Sequence, residues 1–144
     1  MADKNWYEID TPEEIVSPSL LVYPDRIEEN IRLMIKIIGD VNRLRPHIKT
    51  HKTAEIIEMQ MQHGIHKFKC ATIAEAELLA KCGARDILLA MQPVGANLNR
   101  FFKLMATYPN SRFSTIVDNK YSIDLISNIA ASKKTTVRLF LDLN

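Results

Sequence analysis

The chain has 144 residues, 47% of them hydrophobic and 25% charged, with four glycines and six prolines. This composition is typical of a folded domain and excludes disordered or collagen-like chains. No uncharged stretch is long enough to cross a bilayer, residues 1–7 lack the apolar run of an export signal, and two cysteines make no disulfide framework. The absence of these features leads us to expect a cytoplasmic protein without membrane partners. The net charge of +2 is not that of a nucleic-acid-binding polycation, so we expect no nucleic-acid partner.

Strands and helices are predicted to alternate along the chain. After a short strand at residues 19–23, a helix begins at Pro24, which suits a first helical turn, and ends at Gly39, a typical C-terminal stop. Thr72 and Glu75 have the spacing of a capping box at the start of a later helix. Further strands are predicted at residues 44–49, 67–71, 86–91, 113–117 and 136–143, and further helices at 53–63, 73–82, 97–107 and 119–131.

The spacing of these elements predicts the fold class. Strand ends recur about every 20 to 26 residues, which indicates βαβ units and a parallel sheet. An open dinucleotide-binding sheet needs a glycine-rich turn after its first strand, whereas here Thr50, His51 and Lys52 follow. We therefore predict an α/β fold, a partial (β/α)8 TIM barrel with about five of its eight strands. Because a complete barrel needs about 250 residues, we expect the front part of a longer protein.

Positive charge is concentrated in residues 43–52, which hold four of the 19 basic residues, two histidines and no acidic residue. The remainder carries 15 basic and 17 acidic residues, a net charge of −2. Because side chains alternate along a strand, Arg45, His47 and Lys49 are expected to point into the barrel, while Ile48 faces the helices. Lys49 then lies at the carboxyl end of the strand, where barrel enzymes place their chemistry.

Lys49 lies among other cations, and this environment can make its side chain a nucleophile. Partial burial and nearby positive charge favour its neutral amine over the ammonium form. A neutral amine is a nucleophile that forms Schiff bases with carbonyl compounds. The residues alone leave a second interpretation open, in which the segment is a solvated basic loop or a patch that binds RNA phosphates.

The octapeptide RPHIKTHK at residues 45–52 resembles the R-P-H-x-K-T-H-K signature of the D-threonine aldolase and D-serine dehydratase family. Members of this family are pyridoxal-phosphate enzymes with an alanine-racemase-like, fold-type III barrel. The similarity spans residues 11–144. Weaker pieces occur in the family's order at residues 17–22, 70–77, 86–95 and 117–118.

The resemblance implies that Lys49 forms a Schiff base with pyridoxal 5′-phosphate and later acts as an acid or base. His47 is a candidate for binding the cofactor ring, with a polar layer of the barrel as the alternative. The resemblance also implies that residues 1–24 form an arm whose strand pairs with a C-terminal β domain, and that residues 25–144 are the first part of the barrel. A homodimer, a small amino-acid substrate and a divalent metal held by residues beyond this chain are further implications, so the chain alone is expected to be inactive.

These features favour a lyase that cleaves a β-hydroxy D-amino acid by a retro-aldol reaction. A D-serine-dehydratase-like elimination and a racemase on the same scaffold remain open, as does a non-catalytic pyridoxal-phosphate carrier. An RNA-binding module is the least favoured alternative. Asp118 and Asp142 follow strands and could line the site, but Asp118 is expected to cap the helix that comes after it.

Overall fold

Helices and strands alternate in the predicted order in the computed structural model, which describes residues 5–143. Residues 1–4 of the predicted arm and residue 144 of the predicted barrel portion lie outside the described residues. The helices are α1 (Pro24–Ile38), α2 (Ala54–Gln62), α3 (Ile73–Lys81), α4 (Ala96–Thr107) and α5 (Lys120–Ser132). The strands are β1 (Lys67–Cys70), β2 (Asp86–Leu89), β3 (Arg112–Val117) and β4 (Arg138–Leu141), and short 3-10 turns lie at Pro12–Glu14, Val41–Arg43 and Ile48–Thr50.

The four strands form one parallel sheet in the order β1-β2-β3-β4. Each strand pairs with the next one along the chain, and a helix connects each pair. In a doubly wound sheet the strand order reverses at a switch point, whereas a (β/α)8 barrel adds its strands in sequence. The topology is therefore that of a partial barrel, as the sequence predicts.

One face of the sheet packs against the helices and forms the core. Phe68, Ile87 and Phe113 lie on this face, at most 4% exposed, and full burial of such a side chain stabilises the fold by about 1.5–3 kcal/mol. Since side chains alternate along a strand, the residues between them point to the opposite face, which corresponds to the barrel interior. This inner face carries Lys67, Lys69, Asp86, Leu88, Arg112, Ser114, Ile116, Arg138 and Phe140.

The predicted helix ends are confirmed by their capping groups. Gly39 has φ +77°, the left-handed conformation that favours glycine, and its N–H donates to the Ile35 carbonyl at 2.9 Å. At the start of α3, Thr72 Oγ1 accepts the Glu75 N–H at 3.1 Å, as the capping box requires. The Glu75 carboxylate reaches one residue further than the motif predicts, accepting the Ala71 N–H at 2.8 Å.

One strand prediction and one cap prediction are wrong. Residues 44–49 form no strand, because only His47 makes a single parallel bridge, to Lys69, before the chain turns at Ile48–Thr50. Residues 19–23 pair with no strand of the described part of the chain, and their pairing with a C-terminal β domain stays a prediction. The cap of α5 is Asn119, whose Oδ1 accepts the Ser122 N–H at 2.9 Å, rather than Asp118.

Candidate active site

Lys49 lies at the carboxyl edge of the sheet, beside the end of β1. The segment that precedes it runs parallel to β1, because the Lys69 N–H donates to the Pro46 carbonyl at 2.8 Å and His47 bridges Lys69. Lys49 itself is exposed, and its Nζ has no hydrogen bond or ion pair within residues 5–143. The structure thus places the amine where barrel enzymes hold their reactive groups.

The turn that presents Lys49 follows from the local sequence. Pro46 has no N–H to extend a ladder, and His47 Nδ1 accepts the Lys49 N–H at 3.2 Å, which takes that donor away from strand pairing. Ile48 is fully buried in the core and anchors the turn, with its carbonyl accepting the Lys52 N–H at 2.8 Å. Lys52 adopts φ +53°, a conformation that is uncommon outside glycine and that redirects the chain into α2.

His47 lies directly under this turn and is partly buried. Burial lowers the pKa of His47, and the positive charges of Lys49 and Lys69 lower it further, while Glu75 and the Lys69 backbone act more weakly in the opposite direction. The imidazole is therefore neutral at pH 7. Because Nδ1 accepts the Lys49 N–H, we assign the ring proton to Nε2, which leaves an N–H donor available beside the lysine.

Arg45 does not join this group. Its guanidinium reaches the amino end of β2, where Nη1 contacts Asp86 Oδ1 at 2.7 Å, at the end of the segment opposite to Lys49. Arg112 and Arg138 also approach Asp86, at 2.9 and 3.6 Å. Burial acts to raise the pKa of Asp86, but the hydrogen bonds and charges of Arg45 and Arg112 outweigh it and hold the pKa below its ordinary value. The first basic residue of the octapeptide is a structural clamp.

His51 is held by its own backbone. Its Nδ1 accepts the Thr53 N–H at 3.1 Å, while its Nε2 is buried without a hydrogen-bond partner. Burial lowers the pKa of His51, so this ring is also neutral at pH 7. A buried donor without a partner is costly and is uncommon in folded proteins. Within the octapeptide, Nε2 of His51 is thus the buried polar atom that has no partner among the described residues.

Two further residues, Glu75 and Lys69, lie beside the Lys49 turn and were not predicted as site residues from the sequence. Glu75 is 6% exposed and lies 3.9 Å from Lys52 Nζ, so its carboxylate ties the Lys49 turn to the start of α3. Lys69 lies beside His47 on β1. The available signal was the alternation in β1, where two lysines at a spacing of two interrupt a strand whose other residues, Phe68 and Cys70, are fully buried.

A cavity of about 330 Å³ opens at the same edge of the sheet, between the starts of α3 and α4. Among its lining residues are Thr72, Met91, Gln92 and Arg100. Gln92 Oε1 accepts the Asp118 N–H at 3.2 Å, which joins the loops after β2 and β3. Asp118 and Asp142 are exposed at the carboxyl ends of β3 and β4 and line a separate shallow depression.

The geometry agrees with a comparison to known families. The alanine racemase N-terminal domain matches residues 22–144, which is most of the chain. The chain belongs to this family. The match includes the Lys49 turn and all four strands of the sheet, so the partial barrel lies within the matched region.

Individual relatives refine the comparison. The chain is 28% identical over 138 residues to 3-hydroxy-D-aspartate aldolase of Paracoccus denitrificans, covering 91% of this chain and 34% of the relative. It is 32% identical over 83 residues to D-threo-3-hydroxyaspartate dehydratase of Delftia sp. strain HT23, covering 57% and 22% respectively. The crystal structure of D-threonine aldolase from Filomicrobium marinum superposes with a TM-score of 0.80 at 27% identity, covering 90% and 35%. The chain thus spans about a third or less of the length of these relatives.

The described part of the chain, residues 5–143, shows neither a cluster of metal ligands nor a membrane-spanning helix. No three histidine, cysteine, aspartate or glutamate side chains come together there as ligands for a metal ion. Among the helices described, none combines the length and the apolar character that a membrane crossing needs.

Proposed function

We propose that this chain provides the lysine-bearing portion of a pyridoxal-phosphate-dependent lyase that acts on a β-hydroxy D-amino acid, with Lys49 as the residue that holds the cofactor. The observation that carries the proposal is an exposed lysine amine at the carboxyl edge of a sequentially ordered parallel sheet, next to a neutral histidine. The aldolase and dehydratase relatives named above support the same chemistry.

The residues present fit an anionic aromatic aldehyde. Lys49 supplies a free amine, His47 an N–H donor at Nε2, and His51 a buried Nε2 without a partner. Positive charge predominates around them, which suits a phosphate-bearing ligand. When bound, this cofactor withdraws electrons from the substrate Cα as one of its bonds breaks.

The chain's own groups have separate tasks in this proposal. Lys49 Nζ would hold the cofactor, and the same amine is placed to move a proton to or from the substrate. His47 stays neutral and donates from Nε2, while its Nδ1 fixes the Lys49 backbone. Glu75, through Lys52, holds the turn in place.

Borohydride reduction tests the proposal without relying on activity. The native-length protein is incubated with pyridoxal phosphate, reduced, digested and analysed by peptide mass spectrometry. We expect a pyridoxyl-phosphate adduct on Lys49 that is absent in Lys49→Ala and retained in Lys52→Arg, which removes the other lysine amine of the segment and keeps the positive charge beside Glu75. An unchanged adduct in Lys49→Ala, or no adduct at all, would overturn the assignment, and the second of these results would favour the RNA-phosphate interpretation.

Product analysis then separates the reaction types. With a β-hydroxy D-amino acid, an aldolase releases glycine and an aldehyde, whereas a dehydratase releases ammonia and a 2-oxo acid. We expect the aldolase products. An adduct on Lys49 with neither set of products would indicate a racemase or a carrier instead. The homodimer and the cytoplasmic location stay predictions.

A further inference from the structure

Among the cations on the inner face, Lys69 differs from the others in the surroundings of its amine. Lys69 lies on β1 between Phe68 and Cys70, both fully buried against the helices, so its side chain points to the inner face. It is partly buried, and within the described part of the chain its Nζ makes no hydrogen bond or ion pair.

The position of Lys69 links it to the proposed site. It is the bridge partner of His47, and in the sheet it is in register with Leu88 of β2, which is in register with Ser114 of β3. The charges of Lys49 and Lys69 both act on the His47 ring. Lys69 is thus level with His47, and Lys49 follows His47 by two residues, so Lys69 lies farther than Lys49 from the carboxyl edge of the sheet.

The anions near this layer are already engaged. Asp86 lies within 3.6 Å of three arginines, so its single charge is more than balanced. Glu75 accepts the Ala71 N–H and faces Lys52. Lys67, on the same strand and face, donates from Nζ to the Asn42 carbonyl at 2.7 Å. Lys69 is left without a counter-charge among residues 5–143, and a partly buried ammonium without one is costly.

We infer that Lys69 is a specificity-determining residue that binds a second carboxylate on the substrate, and thereby selects dicarboxylic β-hydroxy D-amino acids over those with neutral side chains. The inference rests on the proposed function, since it places the substrate beside Lys49. A carboxylate satisfies the ammonium by a charge-assisted hydrogen bond, whereas a methyl group offers it nothing and leaves it unpaired.

Steady-state kinetics of the native-length holoprotein test this with 3-hydroxy-D-aspartate and D-threonine. In Lys69→Met, we expect KM for 3-hydroxy-D-aspartate to rise about ten- to a hundredfold with kcat little changed, while kcat/KM for D-threonine changes less than about twofold. Lys69→Arg keeps the charge and is expected to retain the preference for the dicarboxylate. Lys67→Met is the matched control, because its amine already has a partner, and it is expected to leave the preference unchanged.

Each other result contradicts the inference. Equal losses on both substrates in Lys69→Met would assign the residue a structural role. If Lys69→Met fails to fold, Lys69→Arg and the wild type decide, because a wild-type protein that does not prefer the dicarboxylate overturns the inference directly. Borohydride reduction distinguishes failure of the Lys69 role from failure of the proposed function. An adduct on Lys49 without a preference for the dicarboxylate contradicts the Lys69 role alone, whereas the absence of an adduct contradicts the proposed function as well.

Discussion

Arg45 lies four residues before Lys49 in the octapeptide, yet its guanidinium contacts Asp86 on β2. Strand β1 lies between the octapeptide and β2, so the Arg45 side chain reaches across β1 on the inner face. It also donates to the Phe68 carbonyl at 3.3 Å, and its guanidinium carbon lies 6.0 Å from the centre of the Phe140 ring. Arg45 therefore fixes the segment to the amino end of the sheet, while His47 fixes the turn at the carboxyl edge. The octapeptide therefore contains residues that fix it to the sheet as well as the lysine that we propose holds the cofactor.

We expect Asp86→Asn to lower the free energy of unfolding. The Asp86 side chain is 5% exposed and the Arg45 side chain 22%, so the substitution leaves a poorly solvated guanidinium without its counter-charge. Removing one partner of a fully buried pair costs about 3–5 kcal/mol, and the partial exposure of the arginines reduces this to about 2–3 kcal/mol. Urea unfolding at pH 7 measures it. Asp124→Asn is the control, because Asp124 pairs with Lys120 on the exposed surface of α5 and is expected to change stability by less than about 0.5 kcal/mol.

A loss in Asp86→Asn no larger than that in Asp124→Asn would show that solvent already screens the Asp86 cluster. The arginines would then need no fixed counter-charge. Arg112 and Arg138 are the exposed members of the cluster, so the result depends mainly on the Arg45 contact.

Element by element, the sequence predicts what periodicity and caps determine and fails where side chains compete with the backbone. All five long helices and four strands occur within a few residues of their predicted bounds, because their apolar spacing and terminal residues agree. The strand at residues 44–49 fails because His47 takes the Lys49 N–H into a turn. The strand at residues 19–23 has no partner within the described residues, and a strand exists only with a partner.

At the start of α3, Thr72→Ala is expected to reduce stability by about 1 kcal/mol, since Thr72 Oγ1 accepts an N–H that the helix itself cannot satisfy. Thr107→Ala is the matched control, because Thr107 Oγ1 donates to a carbonyl within its own helix. That change is expected to stay within about 0.5 kcal/mol. Urea unfolding of both variants checks it, and equal losses would argue against the capping role.

At the scale of the whole molecule, the parallel sheet brings onto its inner face positively charged residues that are far apart in the sequence. The inner face brings together three arginines around the carboxylate of Asp86, and it also carries two lysines that do not contact this carboxylate; these cations are Arg45, Arg112, Arg138, Lys67 and Lys69. Arg45 is recognisable in the sequence because it lies in a dense basic segment. The other cations lie on three different strands, and only the parallel register brings them onto one face. Lys49 and His47 were predictable as candidates from the octapeptide, whereas Lys69 became one only when His47 was found beside it.

Stability of the whole protein is expected to fall on acidification in two separate ranges. The pKa values of His47 and His51 are lowered in the folded state, so below about pH 6.5 the unfolded chain binds protons that the folded chain does not. Stability therefore decreases from about pH 6.5 downwards until the folded-state pKa values are reached. The pKa of Asp86 is also lowered, so its contribution, complete above its unfolded pKa of about 3.9, is lost as pH falls through the folded value.

Urea unfolding at pH 7.5, 6.5, 5.5 and 4.5 resolves the first range. His51→Asn tests its origin, because the Asn side-chain oxygen still accepts the Thr53 N–H but does not titrate. We expect the variant to lose less stability than the wild type between pH 6.5 and 4.5, since one proton fewer is bound on unfolding. A wild-type protein equally stable at all four pH values would contradict neutral, buried histidines at the site. An identical slope in His51→Asn would assign the effect to His47 alone, which lies beside the lysine proposed to hold the cofactor.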